Sequence, residues 1–312
     1  MNLVTHEILT KRAKRLGNLP AIPKVLSTLN EELSAPVSQV DVAKLVQAIS
    51  YDKSLVAQCL RMANSPLYRQ RGDVNTVGEA VLTLGILRIR DLVYSCAMPR
   101  MFMTLNGIVP KEVFWRHALG TALLSQCLSE KCGEHQNQNI YISGLLHDIG
   151  ILINALLFPE DFQHVMRGAV TERSPISLME QRILGFTHAE SGRILADAWK
   201  LPLEVSEAIE FHHCADPQAR VNESVFFVHL ADQLCLSSEL GYGYELRDGE
   251  ITSVDGIWQA LINRFPKARR LTLETFAAIT QSTLSAARQL ADRVFGHLRQ
   301  TENLHSTDAG PG

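Results

Sequence analysis

The chain has 312 residues, 46% of them apolar and 20% charged, and a formal net charge of −3. Its length exceeds what one compact core usually takes, so two lobes are expected. The near-neutral balance argues against nucleic-acid or membrane partners held by bulk charge, and the apolar fraction is that of an ordinary soluble globular chain.

The opening stretch, residues 1–15, contains no uninterrupted apolar run of the kind a signal peptide needs. Its basic run (Lys11, Arg12, Lys14, Arg15), like Lys267, Arg269 and Arg270 near the other end, reads as a solvated helix face. Apolar residues then recur at helical intervals, as at Leu45, Ile49, Val56, Leu60 and Ala63. Breaks fall at Ser34-Ala35-Pro36, Ser65-Pro66, Gly72-Asp73 and Pro110. No alternating stretch is long enough for a sheet core. Residues 1–109 are therefore expected to form a lobe of short helices.

A second lobe is expected over 110–240. A long helix runs from Phe114 to Lys131 and stops at Cys132-Gly133. The most apolar segment, Ile140 to Phe158, is expected to be a buried helix. With His147, Asp148 and Asn154 inside it, crossing a membrane would be costly. Pro159 opens a further helix, and Ser174 reads as the cap of another with Pro175 at its first position. Thr187 caps a helix that starts at His188, with Glu190 in its first turn. Leu201-Pro202 separates that helix from one ending at His212-His213, and Asp232 lies in the helix after the break at Asp216-Pro217. Residues 241–300 are expected to hold a loop, Gly241 to Gly256, and a last helix, about Leu271 to Arg299. Residues 301–312 read as a disordered tail. The fold class is all-α, a two-lobed helical bundle. None of the six cysteines forms a C-x-x-C pair, and their apolar neighbours suit buried thiols in a reducing cytoplasm.

The chemistry lies in His117, His147-Asp148, His188, His212-His213 and Asp232, which include five of the eleven histidines. Taken singly, each has a plain structural explanation. His117 can be a packed histidine, the His212 pair can face a helix dipole, and Asp232 can pair with His229 one turn earlier. An adjacent ionisable pair inside GLLHDIG is costly unless partnered. Together, imidazole and carboxylate suit one or two divalent transition ions, iron, manganese or zinc. One ion would take His117, His147, Asp148 and Asp232, and the other His188, His212, His213 and a shared, bridging Asp148. Two ions roughly 3.5–4 Å apart can clamp a phosphate and activate a water between them.

These motifs resemble the HD superfamily of metal-dependent phosphohydrolases, and the rest of the chain narrows the likeness to the HDOD family. The carriers are Leu19-Pro20 with Pro23, Asp52 with Leu55, the ANSP turn at 63–66, Ala80 with Leu84-Gly85, FWRHAL (114–119), GLLHDIG (144–150), the segment 188–202 and AIEFHH (208–213). The resemblance covers about residues 15 to 240. It implies an all-helical regulatory module of bacterial signal transduction, with an HD-type C-terminal lobe and weak or no catalysis, whose partner is a signalling protein or a nucleotide. The alternative is a phosphohydrolase acting on a nucleotide or cyclic dinucleotide, with Asp148 as its central residue. Two departures from the active cyclic-dinucleotide branch stand out. Ile151 replaces the lysine that follows HD-x-G, and His212-His213 leads into Cys214-Ala215-Asp216-Pro217 rather than an acid and a D-G-x-G-Y-P loop. Arg116, Lys131 and Arg193 are the cations that could substitute, although each also reads as a surface charge. The later Gly241-Tyr242-Gly243-Tyr244 is read as coincidental.

Overall fold

A computed structural model describes residues 16–34, 39–70, 72–103, 105, 108–134, 138–213, 222–238, 240–242 and 253–295. Among these residues every regular element is helical, as expected. The run Lys11 to Arg15, Cys214 to Pro217, residues 243–252 of the expected loop and the tail 301–312 lie outside them.

Two compact units divide the chain. One comprises Met1–Ala21 with Leu105–Leu284, the other Ile22–Thr104 with Ser285–Gly312. In the second, helices α1 (Lys24–Leu33), α2 (Val42–Ser50), α3 (Lys53–Ala63), α4 (Val77–Leu84) and α5 (Ile86–Met101) pack on one another. Local chemistry explains the motifs found here. Asp52 caps α3 by accepting from the Leu55 amide at 2.9 Å, and Arg100 donates to its other oxygen at 2.7 Å. Asn64 of the ANSP turn bonds both the carbonyl and the amide of Val74 at 2.8 Å, which closes the loop between α3 and α4. Thr76 and Glu79 form a reciprocal capping box on α4.

The first unit carries α6 (Lys111–Cys132), α7 (Ile140–Leu146), α8 (Ile149–Leu157), α9 (Pro159–Glu172), α10 (Ile176–Ile183), α11 (His188–Ala198), α12 (Leu203–Phe211), α13 (Glu223–Leu236) and α14 (Val254–Arg264). A 3₁₀ turn at Pro266–Arg270 leads into α15 (Leu273–Phe295). Helix α6 lies against α7 and α13, α8 against α11, and α12 against α7, α11 and α13. Helix α14 falls at the end of the expected loop and was not foreseen.

Two local expectations change. The segment from Ile140 to Phe158 is two helices, and His147-Asp148 forms the joint between them. Asp148, with φ −98° and ψ 10°, stands in the cap position of α8 without a side-chain bond to it. The joined stretch Ile140–Leu157 is long and apolar enough to cross a membrane by composition, but 89% of it is buried inside the fold. Ser174 does not cap α10; the helix starts at Ile176 with Pro175 in the cap position and no side-chain bond there. Pro175 has ψ 141°, outside the helical region, so the helix starts one residue on.

The glycines of GLLHDIG make this joint possible. A Cβ on Gly144 would stand 2.7 Å from the Ala122 Cα on α6, and one on Gly150 only 1.8 Å from the His188 carbonyl oxygen on α11. Gly150 thus lets α8 and α11 approach backbone to backbone, which sets Asp148 beside His188. Gly150→Ala is expected to cost about 1–3 kcal/mol through forced displacement of α11, read as a lowered urea midpoint with an unchanged m-value. A midpoint equal to that of the parent chain would contradict the close approach.

Candidate metal centre

All seven residues singled out from the sequence meet in the first unit. His117 comes from the middle of α6, His147 and Asp148 from the α7–α8 joint, and His188 from the first residue of α11. His212 and His213 follow α12, and Asp232 sits on α13. Each is buried except His213, whose outer edge is exposed.

Asp148 lies between two groups of imidazoles. Its Oδ2 is 3.2 Å from His147 Nε2 and 3.7 Å from His117 Nε2. Its Oδ1 is 3.3 Å from His188 Nε2 and 3.2 Å from His212 Nε2. Asp232 Oδ1 closes the first group, 3.0 Å from His117 Nε2 and 3.7 Å from His147 Nε2. His213 closes the second, its Nε2 2.8 Å from His188 Nε2. In the first group the nitrogens of His117 and His147 face each other at 3.2 Å.

The outer ring nitrogens explain why the inner ones converge. Nδ1 of His117 donates to the Leu240 carbonyl at 3.2 Å, that of His147 to the Gly144 carbonyl at 2.8 Å, and that of His212 to the Ile209 carbonyl at 2.8 Å. A carbonyl only accepts, so each Nδ1 carries the proton and each Nε2 of the neutral ring offers a bare lone pair inward. His188 is held by Glu180, which is fully buried on α10 and accepts from both Nδ1 (2.6 Å) and the backbone amide (2.7 Å) of His188. Asn154 donates to the other oxygen of Glu180 at 2.8 Å. Thr187 and Glu190 box the start of α11, which fixes where His188 emerges.

Lone pairs that face carboxylate oxygens need a cation between them. Asp148 Oδ1 and His212 Nε2 are both buried without a hydrogen-bond partner, though only 3.2 Å apart. Protons can fill that role in part. Burial would lower the His147 pKa, but the charge of Asp148 and the hydrogen bonds to Asp148 and Asp232 raise it to about 10. His188 is likewise raised against its burial, by Glu180 and Asp148. Asp148 and Asp232 are held below the usual carboxylate range despite burial, chiefly by His147 for the first and by hydrogen bonds to His117 and His147 for the second. Loss of surrounding water lowers the fully buried His212. The donor set fits a divalent transition ion. Asp148 with His188, His212 and His213, and Asp148 with His117 and His147, each present ligand atoms within 4.8 Å of one another.

Two residues at the centre escaped the sequence reading, and the alternative pairing of Asp232 with His229 does not form. Glu180 was missed, although its place four residues from both Ile176 and Leu184 puts a carboxylate on a buried stripe. Tyr242, read as coincidental, donates from its hydroxyl to Asp148 Oδ2 at 3.1 Å and lays its ring on His117 with centroids 4.5 Å apart. His229 does not serve Asp232; its Nδ1 donates to the His212 carbonyl at 2.7 Å. Of the proposed substitute cations, Arg193 pairs with Asp197 and Glu210, Arg116 lies 3.4 Å from Glu112, and Lys131 is exposed. Ile151 is buried in α8.

Known proteins agree with this frame. The family model for the HDOD domain matches residues 19–215. An uncharacterised protein of Treponema pallidum is 26% identical over 210 residues, 67% of this chain; the chain spans 40% of that protein's length. A solved HDOD domain protein of unknown function from Geobacter sulfurreducens superposes with a TM-score of 0.79 at 23% identity, covering 93% of this chain and 99% of that one. A candidate phosphohydrolase from Shewanella amazonensis gives 0.69 at 23% identity, with 91% and 97% covered. At these identities the solved structures share the fold.

The raised His147 and His188 give metal-free protein a pH signature. A group raised in the folded state stabilises fully below its unfolded value, about 6.5 for histidine, and ceases to do so as pH passes the folded value. Chelator-treated protein is therefore expected to lose thermal stability from pH 7 toward pH 10, and His147→Gln to flatten that slope. A parent slope no steeper than that of His147→Gln would contradict the assignment.

Proposed function

The chain belongs to the HDOD domain family, and from that premise we propose that it is a regulatory module of bacterial signal transduction built around a centre for one or two divalent transition ions, with weak or no catalysis. The observation that carries the metal reading is the position of Asp148, whose two oxygens each face a separate pair of imidazole nitrogens. One ion would be held by His117, His147, Asp148 and Asp232, the other by Asp148, His188, His212 and His213. Iron, manganese and zinc all suit such ligands. When bound, such ions supply Lewis acidity toward a phosphoryl oxygen or a water.

The chain's own residues support binding more than turnover. Phosphoryl transfer needs positive charge or N–H donors aimed at the oxygens where charge builds. Here the residue after HD-x-G is the buried Ile151, Arg193 is engaged by Asp197 and Glu210, and a phenol takes up Asp148 Oδ2. The partner in this reading is a signalling protein or a nucleotide, whose presence the centre would register. The second reading, a metal-dependent phosphohydrolase of nucleotides or cyclic dinucleotides, draws on the same bridging carboxylate, the arrangement two-metal hydrolytic sites use.

Elemental analysis of protein purified without a chelating tag or chelator is expected to give at least one equivalent of iron, manganese or zinc; less than about half an equivalent would count against the centre. Glu180→Gln should weaken metal affinity by about 10–100-fold, because His188 loses the charged acceptor that orients it. With manganese or iron added, cyclic dinucleotides and phosphomonoesters should not be turned over. Hydrolysis that disappears in Asp148→Ala would move the protein to the second reading.

A further inference from the structure

Leu240 and Tyr242, a short way beyond the end of α13 at Leu236, act on the centre together, and Gly241 between them shapes the turn. Leu240 offers the carbonyl that fixes His117 Nδ1. Gly241 turns tightly against the end of α13, where an added Cβ would stand 2.6 Å from the Leu236 carbonyl oxygen, so only glycine lets the chain double back there. That turn delivers Tyr242 onto His117, with Phe114 stacked nearly parallel to the Tyr242 ring at 6.3 Å and 27°. Its hydroxyl reaches Asp148 Oδ2, the oxygen on the His117 and His147 side.

Exposure shows what this contact occludes. His117, His147, Asp148, His188, His212, Asp232 and Glu180 are all buried, while Tyr242 is partly exposed and His213 exposed. Of these residues, only Tyr242 and His213 connect the centre to solvent. An oxygen donor from solution that approaches Asp148 Oδ2 meets the phenol, which already has its own oxygen 3.1 Å from that carboxylate oxygen. The geometry points to Tyr242 as the chain's own occupant of an oxyanion position on the His117 side of the centre, so that a phosphate or similar anion binds there only by displacing the phenol. This rests on the metal reading above, since buried carboxylates repel an anion unless cations sit between. Such an arrangement makes anion binding report on the segment that carries Tyr242, which suits a sensor better than a catalyst.

The test uses the whole 312-residue chain loaded with manganese, with metal content measured first and inorganic phosphate as the probe. Phosphate binding is followed by calorimetry and by broadening of the phosphorus resonance by the ion. Tyr242→Ala should bind phosphate at least about tenfold more tightly than the parent, the scale of one hydrogen bond to a charged group. Tyr242→Phe, which keeps the ring stack but not the hydroxyl, should fall between them, and it decides the matter if the alanine variant folds poorly. Equal phosphate affinity in metal-replete parent and Phe variant would overturn the inference and leave the metal centre standing. Loss of metal from Tyr242→Phe would also overturn it, because the phenol would then belong to the ion's own ligand set. A parent chain that takes up no metal would overturn both readings, and the metal analysis identifies that case before phosphate is added.

Discussion

Six buried side chains at the core of the first unit cannot be satisfied by hydrogen bonds among themselves. The imidazoles of His117, His147, His188 and His212 present Nε2 to Asp148 and Asp232, and their other nitrogens are committed to carbonyls or to Glu180. Acceptors packed against acceptors in a water-poor interior are costly unless positive charge lies between them. The rest of the unit can be understood as the scaffold that holds this arrangement. Protons relieve it in part, as the raised His147 and His188 show, and divalent ions relieve it with the geometry the lone pairs already have.

The scaffold's essential feature is a break. If His147 and Asp148 lay within one continuous helix, their side chains would diverge by about 100°. Helix α7 ends at Leu146 and α8 begins at Ile149; His147 keeps helical angles, φ −52° and ψ −40°, and the departure falls at Asp148, with φ −98° and ψ 10°. Asp148 then reaches the ligands from α6 with one oxygen and those from α11 and α12 with the other. Gly144 and Gly150 let α6 and α11 come close on either side, so the spacing of the motif is set by helix packing as much as by ligand chemistry.

Much of this was legible in the sequence, for identifiable reasons. Helical periodicity and cap chemistry are local, so the all-helical class, the cap at Thr187, the end of α6 at Gly133 and the helix that begins at Pro159 could be read directly. The ligand series was legible because histidines and acids in apolar surroundings need a common partner. What escaped was non-local or depended on backbone detail. The contact of Tyr242 with Asp148 joins residues 94 positions apart, and nothing local marks it. The α7–α8 joint carries no proline, only the ligand pair itself. His229 stands one turn from Asp232 on α13, yet its ring turns to the His212 carbonyl. Glu180 did leave a signal, a carboxylate in phase with buried Ile176 and Leu184, and that signal can be sought in other chains of this kind.

The most direct test of the account is an anomalous-scattering crystal structure of protein saturated with manganese or iron. The account predicts density peaks beside Asp148, one among His117, His147 and Asp232, and, if two ions bind, a second among His188, His212 and His213. A map at full metal loading with no anomalous peak within bonding distance of Asp148 would contradict it.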